Sequence, residues 1–166
     1  MYFFGFLAFV VAQRLTELII SKRNEKWLRE QGAIEYGRGH YAFIVLLHTM
    51  FFVSMLVEYF SSGEKLFEPI FFLMFLLLII LKIWIISSLG RYWNTRILRV
   101  PNFVAITKGP YKIILHPNYC VVIAEIAIIP LVFHLYYTAI IFSLLNAEML
   151  FVRIREENKA WGFSKT

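Results

Sequence analysis

The chain is poor in several things that soluble proteins use. Cys120 is its one cysteine among 166 residues. That excludes an intrachain disulfide and a cysteine-based metal cluster. Acidic residues are scarce, with 11 Asp and Glu against 17 Lys and Arg, for a net charge of +6. No charged residue interrupts Ile70–Leu81. No Gly-x-Gly-x-x-Gly stretch follows a strand-like run, so the fingerprint of a soluble dinucleotide-binding fold is missing. The hydrophobic segments are continuous rather than alternating, which argues against a membrane β-barrel. There is no internal repeat and no low-complexity linker, and residues 1–166 read as a single domain. Before the first apolar run there is no basic segment, and after it no small-residue cleavage site. It therefore reads as a retained span, not a signal peptide.

What the chain has instead is apolar length. Its composition is 60% hydrophobic and 18% aromatic, with a mean hydropathy of +0.66, against about 45–50% apolar residues in soluble domains. A spanning helix needs about 20 mostly apolar residues, and helices satisfy their own backbone in lipid. The expected fold is all-α and polytopic, with five transmembrane helices over about 2–20, 41–60, 67–89, 119–133 and 136–152. The last two form a tight hairpin across His134 and Leu135.

Charge gives the orientation. Lys22, Arg23, Lys26, Arg29 and Arg38 lie between the first two spans. Arg91, Arg96, Arg99, Lys108 and Lys112 lie between the third and fourth, without an acidic residue, and Arg153, Arg155, Lys159 and Lys165 follow the fifth. The other two connections carry only Lys65. The basic segments thus share one side, which the positive-inside rule makes cytoplasmic, with the N-terminus outside. Topology and anionic membrane lipid account for the positive charge, so nucleic acid is not expected as a partner. Pro101, Gly109, Pro110 and Pro117 break the segment Gly90–Asn118, and Pro117 suits the first turn of the fourth helix.

Several polar residues fall at membrane depth, where they are costly without a partner. Arg14 and Glu17 are spaced for an ion pair along one helix face. Lys82 is expected to snorkel towards the cytoplasm. Glu125, Asn146 and Glu148 lie in the hairpin, where they either hydrogen-bond between helices or line a polar pocket. His48 and His134 read as packing or hydrogen-bonding residues rather than haem ligands, and no metal site is expected.

Two clusters bracket the hairpin: Gly109-Pro110-Tyr111 with Leu115-His116-Pro117-Asn118-Tyr119, and Arg153-Ile154-Arg155-Glu156-Glu157. Both sit at the cytoplasmic base, so chain geometry brings His116, Tyr119, Arg153 and Glu157 together. Arg153 and Glu157, four apart, share a helix face. In these motifs the sequence resembles the isoprenylcysteine carboxyl methyltransferase family, and from about Gly90 onward it follows that family's pattern. The segment Arg91-Tyr92-Trp93-Asn94-Thr95-Arg96 and the turn Ser21-Lys22-Arg23-Asn24-Glu25 look like a short bacterial branch, extending the resemblance over nearly the whole chain. Leu115 stands where the family has an arginine.

The resemblance implies an S-adenosylmethionine-dependent O-methyltransferase with a cytoplasmic cofactor-binding cap. It implies Tyr111, His116, Pro117, Tyr119 and Asn146 in the cofactor pocket. Arg153 would hold the attacking oxygen, and Glu157 would orient Arg153 directly. The substrate would be a lipophilic small molecule with a carboxylate or acidic hydroxyl, such as an alkylpyrone made by a type III polyketide synthase, met in a bacterial plasma membrane. Oligomeric state stays open. The rival readings are an NADPH-dependent membrane reductase of the sterol-reductase type and a non-enzymatic small transporter or scaffold.

Overall fold

The computed structural model describes residues 2–63 and 66–161. Lys65, Lys165 and the C-terminal Thr166 lie outside the described residues. The described chain is built on five helices: α1 (Tyr2–Glu30), α2 (Arg38–Ser61), α3 (Pro69–Leu89), α4 (Pro117–Leu131) and α5 (Tyr136–Trp161). Four of these stretches, Tyr2–Glu30, Arg38–Ser61, Pro69–Tyr92 and Tyr136–Ala160, are long and apolar enough to cross a membrane. With 15 residues, α4 falls short of the about 20 that a perpendicular span takes. Lipid-facing side chains such as Leu77, Ile80 and Ile83 are exposed along α3, as expected for a helix whose outer face meets acyl chains.

The core lies at the far end of the bundle and is strongly aromatic. Phe3, Phe6, Leu7 and Val10 recur at one-turn spacing along a single face of α1 and are buried there. Phe3 stacks on Tyr59 of α2 with ring centroids 3.7 Å apart, and Phe133 meets Phe3 edge-on at 5.2 Å. The hairpin tip is tied to this end by polar bonds. Glu58 of α2 accepts the backbone N–H groups of Tyr137 at 3.0 Å and Thr138 at 2.7 Å, at the start of α5. A carboxylate there satisfies orphan amides and faces the positive end of the helix dipole. The Glu68 amide donates to Val132 O at 2.9 Å. The tip is thereby level with the α2–α3 connection.

The near end departs from expectation in two ways. Residues Ser21–Glu25 are not a turn: α1 runs on to Glu30, because no helix breaker occurs before Gly32, whose φ of 78° ends it. This extension is the post on which the segment after α3 hangs. Asn24 donates to Trp93 O at 2.7 Å, the Thr95 N–H donates to Ser21 Oγ at 2.9 Å, and Asn94 donates to Ser21 O at 2.9 Å. Secondly, a short antiparallel ribbon appears, β1 (Ile34–Tyr36) with β2 (Ile97–Arg99), in the register Ile34↔Arg99 and Tyr36↔Ile97. It joins the two basic connections. Glu35 anchors it, its carboxylate bonded by Arg29 at 2.6 Å and Arg96 at 2.5 Å.

Lys82 does not snorkel. It is 2% exposed and is paired with Glu125 of α4 and, at 3.1 Å, with Glu17 of α1. Arg14 is bonded to Glu17 at 3.0 Å and to Glu125 at 2.8 Å. The expected α1 pair is thus part of a four-residue cluster joining α1, α3 and α4. Lys82 has two carboxylates within reach, and moving its ammonium to the interface would leave Arg14 as the one cation for both. Glu148, by contrast, is exposed.

Candidate active site: a polar and an apolar cavity with a common wall

The 3-10 turn Gly109–Lys112 leads into α4. Gly109 has φ 54°, and a Cβ there would stand 2.2 Å from Ser88 Oγ, so this position requires both the left-handed backbone and the missing side chain. The turn puts Tyr111 over the base of α3. His116 then caps the chain into α4, with Pro117 buried in the first turn.

Tyr119 is the joint of the site. Its hydroxyl accepts from Arg153 Nε at 2.8 Å and donates to a carboxylate oxygen of Glu157. Arg153 also donates from Nη2 to Thr95 O at 2.6 Å. The His116 ring lies parallel on Tyr119, centroids 5.2 Å apart, with Nδ1 3.7 Å from Glu157. Among the described residues no ion pair joins Arg153 to Glu157 directly. Their one-turn spacing is bridged by a phenol from α4, which corrects the direct pairing expected from sequence. Burial and the nearby Glu157 carboxylate push the Tyr111 phenol up, so it is a neutral hydrogen-bond donor across the physiological range.

Two cavities meet here. The first, about 190 Å³, lies under the 90–118 segment and is lined by Arg96, Phe103, Tyr111, His116 and Glu157, among others. Among the buried polar atoms of its lining, Trp93 Nε1, His116 Nε2 and Asn118 Oδ1 lack a hydrogen-bond partner among the described residues. Buried polar atoms are rarely left unpaired, so these mark where a polar ligand would bond. The second cavity, about 430 Å³, is bounded mainly by apolar side chains of α1, α2 and α5, including Leu15, Val45, Phe52 and Leu150. Trp93, Asn118, Tyr119 and Arg153 line both.

Of the residues expected to form the site, Tyr111, His116, Tyr119, Arg153 and Glu157 therefore converge on the first cavity. Pro117 lines neither cavity and starts α4. Asn146 lines the second cavity and not the first, since it lies two helical turns deeper than Arg153. Trp93, Thr95 and Asn118 belong to the site as well; all three lie inside the sequence motifs, which assign them no role. Thr95 acts through its carbonyl, which leaves no trace in side-chain chemistry.

Helices long and apolar enough to cross a membrane, with a polar cavity at one end beside an apolar one, mark an integral membrane protein with a built binding site. The family profile of the isoprenylcysteine carboxyl methyltransferase (ICMT) family matches residues 71–161, and the chain belongs to that family of membrane methyltransferases. It is 41% identical over 163 residues to the uncharacterized protein YpbQ of Bacillus subtilis (strain 168), covering 95% of each chain. It is 28% identical over 160 residues to an uncharacterized protein of Haemophilus influenzae, covering 92% of this chain and 91% of that one. No solved structure matches.

Proposed function

We propose that the chain is an S-adenosylmethionine-dependent O-methyltransferase acting on a lipophilic small molecule at the cytoplasmic face of the plasma membrane. The observation that carries this reading is the wall formed by Trp93, Asn118, Tyr119 and Arg153, common to a polar and an apolar cavity. A polar methyl donor from the cytosol and an acceptor dissolved in lipid can meet across it.

The residues of the first cavity fit such a donor. An indole N–H, an imidazole nitrogen and an amide oxygen, all buried and unpaired, suit a ligand with an amino-acid end and a heteroaromatic base. Aromatic faces, Tyr92 stacked on Phe103 at 4.2 Å and His116 on Tyr119, suit a sulfonium cation. When bound, S-adenosylmethionine supplies an electrophilic methyl group for in-line displacement. The protein's part is alignment and charge.

Arg153 holds the acceptor oxygen. Its Nε and Nη2 are committed to Tyr119 and Thr95, which fixes the guanidinium plane and leaves Nη1 uncommitted among the described residues. Glu157 orients it through the Tyr119 hydroxyl. A carboxylate acceptor arrives ionised and needs no base. A hydroxyl acceptor, such as an alkylpyrone enol, must lose its proton, and Glu157 beside His116 receives it.

For topology, the level of the hairpin tip against the α2–α3 connection supports five crossings, with α4 packed between α3 and α5. The basic connections support a cytoplasmic C-terminus and a cap made from the 90–118 segment, the β1–β2 ribbon and the end of α5.

Direct binding tests the donor. Purified protein in lipid nanodiscs is expected to bind S-adenosylmethionine in titration calorimetry and to give no heat with NADPH. Binding of NADPH alone would replace the methyltransferase with the reductase.

A further inference from the structure

Deep in the apolar cavity, away from the wall it has in common with the polar one, lies the side-chain amide of Asn146. Asn146 is 3% exposed, lines the cavity, and its side chain makes no hydrogen bond among the described residues. An unbonded amide in an apolar site is costly unless a ligand completes it.

A second polar atom faces the same level. The antiparallel register of α2 and α5 is set by Ser54 Oγ against Thr138 Oγ1 at 2.8 Å and by Phe51 against Phe142 at 5.6 Å. Carried one further turn, it sets His48 opposite Asn146, and both line the cavity. His48 Nδ1 bonds the Ile44 carbonyl at 2.9 Å. A carbonyl can only accept, so Nδ1 carries the proton and the neutral ring offers a lone pair at Nε2.

The position is regular. Tyr41 to His48, Ser21 to Arg14, and Arg153 to Asn146 are each seven residues apart on one face of their helices. Two turns separate a polar tier around Tyr119 and Arg153 from a deeper tier around His48 and Asn146, about 10 Å at 1.5 Å per residue. Arg14 and Glu17 also line the cavity at the deeper tier, but they are paired with each other, with Lys82 and with Glu125. Two cations and two carboxylates cancel, so the tier calls for a neutral group.

We propose that His48 and Asn146 form a second recognition point for the acceptor, which takes a hydroxyl carried about 10 Å from the oxygen that is methylated. The hydroxyl donates to His48 Nε2 and accepts from the Asn146 amide. This rests on the apolar cavity being the acceptor site. It narrows the substrate class from lipophilic acids and phenols in general to those with a second, neutral hydroxyl.

The probes are para-dodecylphenol and its analogue hydroxylated on the fourth chain carbon, which spaces the oxygens by about 10 Å. Equilibrium binding of each to the full chain in nanodiscs is measured, corrected for uptake by empty discs. The wild type is expected to bind the hydroxylated compound about tenfold more tightly, the ratio for one good hydrogen bond. Asn146→Leu and His48→Phe, on different helices, are each expected to lose that preference while still binding para-dodecylphenol. Equal binding by the wild type, binding of neither compound, or a preference kept in either variant would overturn the proposal. No methyl transfer enters this readout. A protein that binds as expected but transfers no methyl group would sink the proposed function and leave the hydroxyl site standing.

Discussion

Tyr119 stands between Arg153 and Glu157, accepting from the one at 2.8 Å and donating to the other. A guanidinium and a carboxylate one turn apart on α5 are thus locked by a phenol from α4, at the wall that the two cavities have in common. Tyr119→Phe keeps the ring and its stacking on His116 but removes the lock. Hydrogen bonds to charged groups contribute about 1.5–3 kcal/mol. Methyl transfer should fall by roughly 10- to 100-fold, with folded yield close to wild type, as read by initial rates and size-exclusion profiles.

The buried ion cluster makes a different prediction, about stability. Lys82→Met alone leaves Glu125, which is fully buried, short of a cation. Removing one partner of a buried pair costs about 3–5 kcal/mol. The double variant Lys82→Met, Glu125→Gln leaves Arg14 with Glu17 and should be less destabilised than the sum of the single changes. Thermal unfolding of the four proteins in one detergent measures this cycle. Strict additivity would mean that the two side chains do not act as a pair.

Glu58 caps α5 from another helix, through the amides of Tyr137 and Thr138. Glu58→Ala should lower stability by about 1 kcal/mol, the usual loss for a helix cap. Glu58→Gln, which keeps an acceptor, should lose less.

The β1–β2 ribbon should be acid-sensitive. Burial opposes ionisation of Glu35, but the hydrogen bonds and charges of Arg29 and Arg96 outweigh it and hold the carboxyl below its usual range. A group whose pKa is lower in the folded protein contributes stability above the unfolded value. That stability is lost as pH falls below about 4.5 and through the lower folded value. The protection factor of the Ile34–Tyr36 amides, the intrinsic exchange rate at the same pH divided by the observed one, should therefore fall at acid pH in the wild type. In Glu35→Gln it should already be lower at pH 7 and change less on acidification.

The membrane helices, the base of the hairpin and the convergence of His116, Tyr119, Arg153 and Glu157 were legible in the sequence, because apolar length and local spacing carry them. What stayed hidden depends on partners distant in the chain. Lys82 reads as a snorkelling residue until Glu125, 43 positions away, is seen beside it. The extension of α1 beyond Ile20 reads as a charged connection until Ser21 and Asn24 are seen holding residues 93–95. Asn146 looks like a neighbour of Arg153 in sequence. Two turns of helix carry it out of the polar cavity and into the apolar one.

Passage of a methyl group to a lipid-soluble oxygen at the wall of Trp93, Asn118, Tyr119 and Arg153 is what the proposed function requires. Its most direct test is transfer of labelled methyl from S-adenosylmethionine to a panel of lipophilic acids and phenols, by the purified protein in nanodiscs and by Arg153→Ala. Extractable labelled product is expected from the wild type, with a rate at least about 100-fold lower from Arg153→Ala, the scale of one lost charge-stabilising donor, at comparable folded yield. Equal rates from the two proteins, or no product from the wild type on any acceptor, would contradict it.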